Sequence, residues 1–236
     1  MTAPSVESAR PLVVLFDVDE TLVHTGGAGA RSWMAAFDAI YGIAADIGEH
    51  SSAGETDPQV ARATFVAVLH RDPTDGELGQ LYARYLLHLA DDIGASPGYR
   101  TLPGVDDALA RLSGAGITLG LVSGAMEGAA RTKLVPANLN RFFVFGAYGS
   151  DASDRAELTQ IAVDKARRLH HGLTLEQVYV VGDTPRDVAA TNATGAVSVG
   201  VATGRYAVEE LRAAGGRYVL STLEEEFPGV APPSSG

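Results

Sequence analysis

Cysteine is absent from the 236 residues. That excludes disulfide staples, thiolate metal sites and thiol nucleophiles. Positive charge is scarce: 18 Lys and Arg stand against 29 Asp and Glu, a net charge of −11. Nucleic acid and anionic membrane are therefore poor partners, because few groups can neutralise phosphates. A small phosphorylated ligand remains compatible, since a bound metal ion can reverse the local field. No apolar run reaches the ~20 residues of a membrane span, and Met1–Pro11 has no apolar leader core. Cytoplasm is the expected location. No internal repeat is present. The Pro/Ser/Gly-rich end, Pro228–Gly236, is expected to fray. Oligomeric state is not legible.

What is present is an ordinary apolar fraction, 46%, spread over short runs. Leu12–Phe16, Thr118–Val122, Phe142–Phe145, Val178–Val181 and Val197–Val201 read as buried strands, rich in Val, Leu or Phe and flanked by Gly, Asp or Ser. Helical patterns lie between them at Val105–Leu112, about Gly128–Leu134, Ala156–Leu169 and Pro185–Thr194. Near-continuous apolar strands alternating with helices predict an α/β fold with a parallel sheet covered on both faces. One stretch breaks the alternation. From Thr25 to Pro97 no strand candidate occurs. Trp33, Phe37, Ile40 and Tyr41 share one helical face, and Leu78, Leu81, Tyr82, Tyr85, Leu89 and Ile93 form a longer stripe. A weaker helix covers about Pro58–Leu69. The expected division is a catalytic core, residues 1–24 and 99–236, and an inserted all-helical cap, residues 25–98. Gly26, Gly27, Gly29 and Pro97–Gly98 read as hinges of a lid.

The strand ends carry the polar residues. The first strand runs into Asp17-Val18-Asp19-Glu20-Thr21, the second into Ser123-Gly124. The third is followed by Asp151 to Arg155, and the fourth by Gly182-Asp183-Thr184-Pro185-Arg186-Asp187. In an open parallel sheet these ends share the edge where ligands bind. An aspartate closing a buried strand is costly unless paired or metal-bound. Asp17, Asp19 and Asp183 are thus candidate ligands of one hard cation, and oxygen donors favour magnesium. Thr184-Pro185 reads as an N-cap before a first-turn proline, which gives Asp187 a second role in a capping box. Ser123 and the backbone of Gly124 are candidate phosphoryl grips, although Ser123 also reads as a helix N-cap.

Two cations compete to balance a phosphoryl group. Asp154 and Glu157 suggest a capping box that makes Arg155 the first helical residue, at the ligand edge. Lys165 lies roughly 15 Å down the same helix. It falls on the stripe of Leu158, Ile161 and Leu169, where snorkelling is its simpler role.

LFDVDETLV (Leu15–Val23), LVSGA (Leu121–Ala125) and VVGDTPRD (Val180–Asp187) together resemble the first, second and fourth motifs of haloacid dehalogenase-like hydrolases. LPGVDDALARLSGAG (Leu102–Gly116) is similar to the segment after the cap in the phosphoglycolate-phosphatase-like branch. The third motif departs: SDRAEL puts Arg155 where the family often has lysine. Glu20 stands where many relatives have glycine. The resemblance implies a Rossmann-like core with a helical cap and a magnesium-dependent phosphomonoester hydrolase acting on a small phosphorylated metabolite. Asp17 would be the nucleophile that forms an aspartyl phosphate, and Asp19 the acid and base. Asp17, Asp183 and the backbone carbonyl of Asp19 would hold Mg2+, Ser123 and Arg155 the equatorial oxygens, and Thr21 would position Asp19. Asp19 argues against dehalogenation, which needs no proton. The absence of lysine from residues 25–97 argues against Schiff-base phosphonate cleavage. A sugar-phosphate mutase on the same core, and a non-catalytic phosphate-binding regulatory module, are the alternatives. The segment Ser51–Asp57 either faces the site and selects the leaving group or is plain surface.

Overall fold

A computed structural model describes residues 10–50 and 54–230 of the chain. The first nine residues, Ser51–Ala53 and the last six of the Pro/Ser/Gly-rich end lie outside it.

Six strands form one parallel sheet: β1 (Val13–Phe16), β4 (Thr118–Ser123), β5 (Phe145–Tyr148), β6 (Val178–Gly182), β7 (Val197–Val201) and β8 (Tyr218–Leu220). Their order is β5-β4-β1-β6-β7-β8, so β1 is central, with β4 and β6 as hydrogen-bonded neighbours. The pleat sends alternate residues to opposite faces. Val13 and Leu15 join Val122, Val178 and Val180 against Leu158, Ala162, Val163 and Ala166 of α6 (Arg155–Leu169). Val14 and Phe16 join Leu119, Leu121, Tyr179 and Val181 in the larger core on the other face. With both faces covered, β1 is apolar throughout and wholly buried, as a central parallel strand requires.

Crossovers supply α4 (Val105–Gly114), α5 (Glu127–Leu134), α7 (Pro185–Thr194) and the short α8 (Val208–Ala213). Thr184 caps α7, with Pro185 in its first turn and Asp187 closing the capping box. Asp154 caps α6 by accepting from the N–H groups of Ala156 and Glu157, so Arg155 opens that helix.

Three further helices, α1 (Ala28–Tyr41), α2 (Asp57–Leu69) and α3 (Asp75–Asp92), lie between β2 (Val23–His24) and β3 (Arg100–Thr101). The expected apolar face of α1 meets α3, where the Trp33 and Tyr85 rings stack at 4.1 Å. Strands β2 and β3 pair antiparallel and bring the two connections side by side. Ser96 Oγ donates to Thr25 O at 2.7 Å, and Arg31 ties Gly26 O to Asp92 and Ser96. Gly26 and Gly27 take left-handed φ of 62° and 82°, and Gly98 of 81°. Of the expected hinge glycines, Gly29 lies inside α1.

The third strand differs from expectation. Leu139–Phe142 forms a 3₁₀ turn, and pairing with β4 begins at Phe145. Tertiary pairing there overrides the β-propensity of Phe142 to Val144, and Phe145 sits opposite Gly120. A Cβ on Gly120 would fall 2.8 Å from the Phe145 ring. Strands β2, β3 and β8 and helix α8 were not expected; they are only two to six residues long.

Candidate active site

A cleft of about 490 Å³ opens at the carboxyl ends of β1, β4 and β6. Asp17, Asp19, Ser123, Gly124, Arg155 and Asp183 line it, facing Gly54, Glu55 and Asp57 from the start of the second cap helix.

Asp17 follows β1 directly and is 8% exposed; its N–H donates to Val181 O. Asp183 follows β6 and is also buried. One oxygen each from Asp17, Asp183 and Asp187 lies within 4.8 Å of the others. Burial is the chief cause that raises Asp17 to about 7; Arg155 opposes it, while Asp187 and Asp19 add to it. Burial likewise raises Asp183 to about 8, reinforced by Asp17 and Asp187. Carboxylates this close and this poorly solvated hold their charge only with a cation. The set is entirely oxygen, which fits a hard divalent ion.

Arg155 is 7% exposed, and its Nη2 lies 3.0 Å from Asp17 Oδ1. Nε donates to Asp187 Oδ1 at 2.8 Å, and Nη2 reaches the same oxygen. Burial works against the guanidinium charge, but Asp187 and Asp17 outweigh it and hold Arg155 above the ordinary arginine range. Asp187 closes the expected capping box by accepting from Thr184, and it also holds Arg155, a role not expected from the sequence.

Several expected placements change. Lys165 does not snorkel and does not line the cleft: its ammonium donates to Gly146 O at 2.8 Å and to Asp151 Oδ2 at 3.2 Å. Its distance down α6 from the ligand edge explains this. Thr21 does not touch Asp19 and lies wholly buried behind the cleft, where its hydroxyl donates to Asp183 Oδ1 at 3.4 Å. Glu20 before it takes a left-handed φ of 57°, and that sharp turn carries Thr21 toward β6. Ser123 is no helix cap: Met126 precedes α5, and Ser123 Oγ accepts from Ala125 N at 3.2 Å. The Asp19 carboxylate stands outside the cluster of Asp17, Asp183 and Asp187, bound instead by Lys133 at 2.6 Å.

Of the segment Ser51–Asp57, the described part meets the core. Asp57 N donates to Gly124 O at 2.8 Å, and Asp57 Oδ2 accepts from Met126 N at 2.8 Å. Gly124 is required for this approach, because a Cβ would lie 2.7 Å from Glu55 O. Sequence reasoning left Asp57 within a segment that either faces the site or is plain surface, and missed Lys133, Glu20 and His24 as site residues. The last two line the cleft and pair at 2.6 Å. A signal for Lys133 existed: the chain holds only two lysines, Lys133 and Lys165.

The carboxyl edge of the sheet thus gathers three aspartates and a buried guanidinium beneath the start of α2, an all-oxygen set that could hold a metal ion. The model of the haloacid dehalogenase-like hydrolases matches residues 12–195, and the chain belongs to that family. It is 26% identical over 183 residues to a phosphoglycolate phosphatase of Salmonella paratyphi A, covering 74% of this chain and 70% of the relative. Its fold matches a predicted phosphoglycolate phosphatase from Haemophilus somnus, with TM-score 0.68, 18% identity and 90% and 95% of the two chains covered. A protein from Bacteroides vulgatus provisionally described as a β-phosphoglucomutase gives TM-score 0.66 at 20% identity, over 92% and 86%. These relatives set the chain in the phosphoglycolate-phosphatase-like branch, with the fold and enzyme class of a phosphatase.

Proposed function

We propose that this phosphatase is a magnesium-dependent phosphomonoester hydrolase of a small phosphorylated metabolite, working through a phosphorylated Asp17. The observation that carries the reading is the pairing of Asp17 with Arg155 at 3.0 Å on the floor of the cleft, with Asp183 beside it. The free Asp17 oxygen attacks phosphorus, and the ester oxygen leaves. Arg155 and the turn after Ser123 hold the equatorial oxygens. Asp19 gives its proton to the departing oxygen and then takes one from the water that cleaves the acyl phosphate, regenerating Asp17. Asp17, Asp183 and the Asp19 carbonyl are the groups that would hold the ion. Magnesium, when bound, offsets the negative charge where carboxylate meets phosphoryl group. Closure of residues 25–98 about the Gly26–Gly27 and Gly98 connections would shut water out until the leaving group departs.

A mutase must also grip a second phosphate over the same floor. The described cap residues lining the cleft, Gly54, Glu55 and Asp57, carry no positive charge. Among the described lining residues the one arginine besides Arg155 is Arg205, from the core. Hydrolysis is therefore the favoured reading. The deciding experiment is phosphate release from a panel of phosphorylated metabolites, with and without magnesium. Release from at least one ester, lost on chelation and restored by the metal, is expected. Isomer interconversion that needs a bisphosphate activator would replace hydrolase by mutase. A long-lived phospho-aspartate with no ester turnover would replace it by a regulatory module.

A further inference from the structure

Lys133 is a buried charge that the proposed chemistry does not use. It lies on α5, the core helix against which α3 packs, with Leu86 of α3 3.3 Å from where a Cβ on Gly128 would stand. Lys133 is 5% exposed, whereas the Asp19 side chain it grips at 2.6 Å is 43% exposed to the cleft. The lysine thus reaches its partner from behind. Asp57 lies on the opposite, cap side. It is anchored by the Met126 N–H and the Trp33 side chain, and it is close enough for Lys133 to act on its charge. Burial pushes Asp57 up to about 6, with Lys133 opposing the rise. Burial likewise opposes the charge on Lys133, but Asp19, Tyr85 and Asp57 together outweigh it, so the amine stays protonated.

Stability alone is a weak reason for such an arrangement. Desolvating an ammonium costs several kcal/mol, and an apolar side chain of similar size fills the same space at least as well. A chain with 16 arginines and two lysines nonetheless holds one lysine here, bonded to Asp19. We propose that Lys133 is the positioning residue of Asp19, fixing that carboxylate for proton transfer, and that Asp57 completes the hold when the cap is docked. This rests on the hydrolase reading. Lys133 touches no reacting atom; it acts through Asp19. Asp57 holds the Met126 N–H at the start of the helix that carries Lys133, so the acid–base group is fully fixed only when Asp57 is seated there.

The test compares the full-length wild type, K133M, D19N and the double variant with magnesium. The substrates are phenyl phosphate, whose leaving group needs a proton, and p-nitrophenyl phosphate, whose leaving group does not. K133M is expected to lose about 100-fold in kcat on phenyl phosphate, the scale of general acid–base catalysis. First-turnover release of nitrophenolate should fall by less than about fivefold, since that step needs no acid. The double variant should be no worse than D19N, because Lys133 acts only through Asp19. Equal losses on both esters, or losses that multiply in the double variant, overturn the proposal and leave a packing role. D57N retains the acceptor for Met126 and reports the cap arm. Its loss should vanish in the K133M background, and an undiminished loss there overturns the part given to Asp57. Should K133M fail to fold, K133Q runs the same cycle with a neutral donor. A wild type that turns over neither ester, while the metabolite panel also stays silent, overturns the hydrolase reading and this proposal with it. Turnover with multiplying losses overturns only this one.

Discussion

Arg155 serves two masters. Its guanidinium bridges Asp17 and Asp187, so removing it leaves two buried carboxylates without their counter-charge. Arg155→Ala should weaken inhibition by inorganic phosphate at least tenfold, the cost of one buried charge-assisted contact at about 1.5–3 kcal/mol. Lys165→Ala breaks only contacts to Gly146 and Asp151 and should change phosphate inhibition less than twofold. The reverse order, read from inhibition constants, would move the phosphoryl grip to Lys165. Asp17→Asn keeps the shape of the site and removes the proposed nucleophile. It should abolish turnover in a phosphate-release assay while the thermal midpoint stays at or above that of wild type; normal activity would end the assignment. Asp17 was legible because it ends a buried strand, where a charge needs a reason, and Arg155 because the pattern after Asp154 made it the first helical residue at the ligand edge. Lys133 was not. In sequence it reads as a cation in the last turn of a short helix, which the helix dipole explains. Its partner Asp19 is 114 positions away, and no local pattern reports such a pairing.

At the scale of elements, the paired connections that lead into and out of α1–α3 are the informative piece. Gly26 holds φ at 62°, and an added Cβ would stand 2.1 Å from Pro97 O on the returning connection. Gly26→Ala therefore meets two penalties. The left-handed backbone costs roughly 1–2 kcal/mol without glycine. The clash with backbone adds an overpacking cost of about 1–3 kcal/mol. Relief requires the two connections to part, which tilts α1–α3 off Gly124 and Met126. The expected result is a lower kcat/KM together with faster proteolytic nicking near residues 25–27 and 96–98. An unchanged rate of both would show that these connections do not govern docking. Of the three inserted helices, α1 and α3 were legible from their apolar stripes and α2 only as a weaker helical stretch, while α7 was legible from its cap and proline. The third strand was legible only as a run of apolar residues: pairing to β4 chose Phe145–Tyr148, with Gly146 and Ala147, over the better β-formers just before. Strand β8 and helix α8 carry too few residues for a period to show.

For the whole molecule, the carboxylate cluster ties stability to pH and, on the proposed reading, to magnesium. Asp17 is raised to about 7 and Asp183 to about 8 from a common ordinary value of 3.8. Between that value and the raised ones, the unfolded chain has given up protons that the folded chain still holds. Stability from these groups is then complete below about pH 4 and drains away as pH rises toward 7–8. The protein without metal should thus melt lower at pH 8 than at pH 5.5 as far as this cluster decides. Magnesium needs both carboxylates ionised, so binding expels protons and strengthens with pH. At 100 times its dissociation constant the ion adds about 2.7 kcal/mol. By the usual scaling for a chain of 150–250 residues this raises Tm by roughly 5–10 °C. The difference between magnesium and EDTA melting curves should therefore be large at pH 8 and small at pH 5.5 for the same total metal. In D183N, which loses one ligand and one raised carboxylate, the pH 8 difference should largely vanish and the EDTA curve should flatten with pH. A magnesium shift that is equal at the two pH values, or larger at the lower, would mean that the ion is held elsewhere than by Asp17 and Asp183. The chemistry built on their meeting would then lose its foundation.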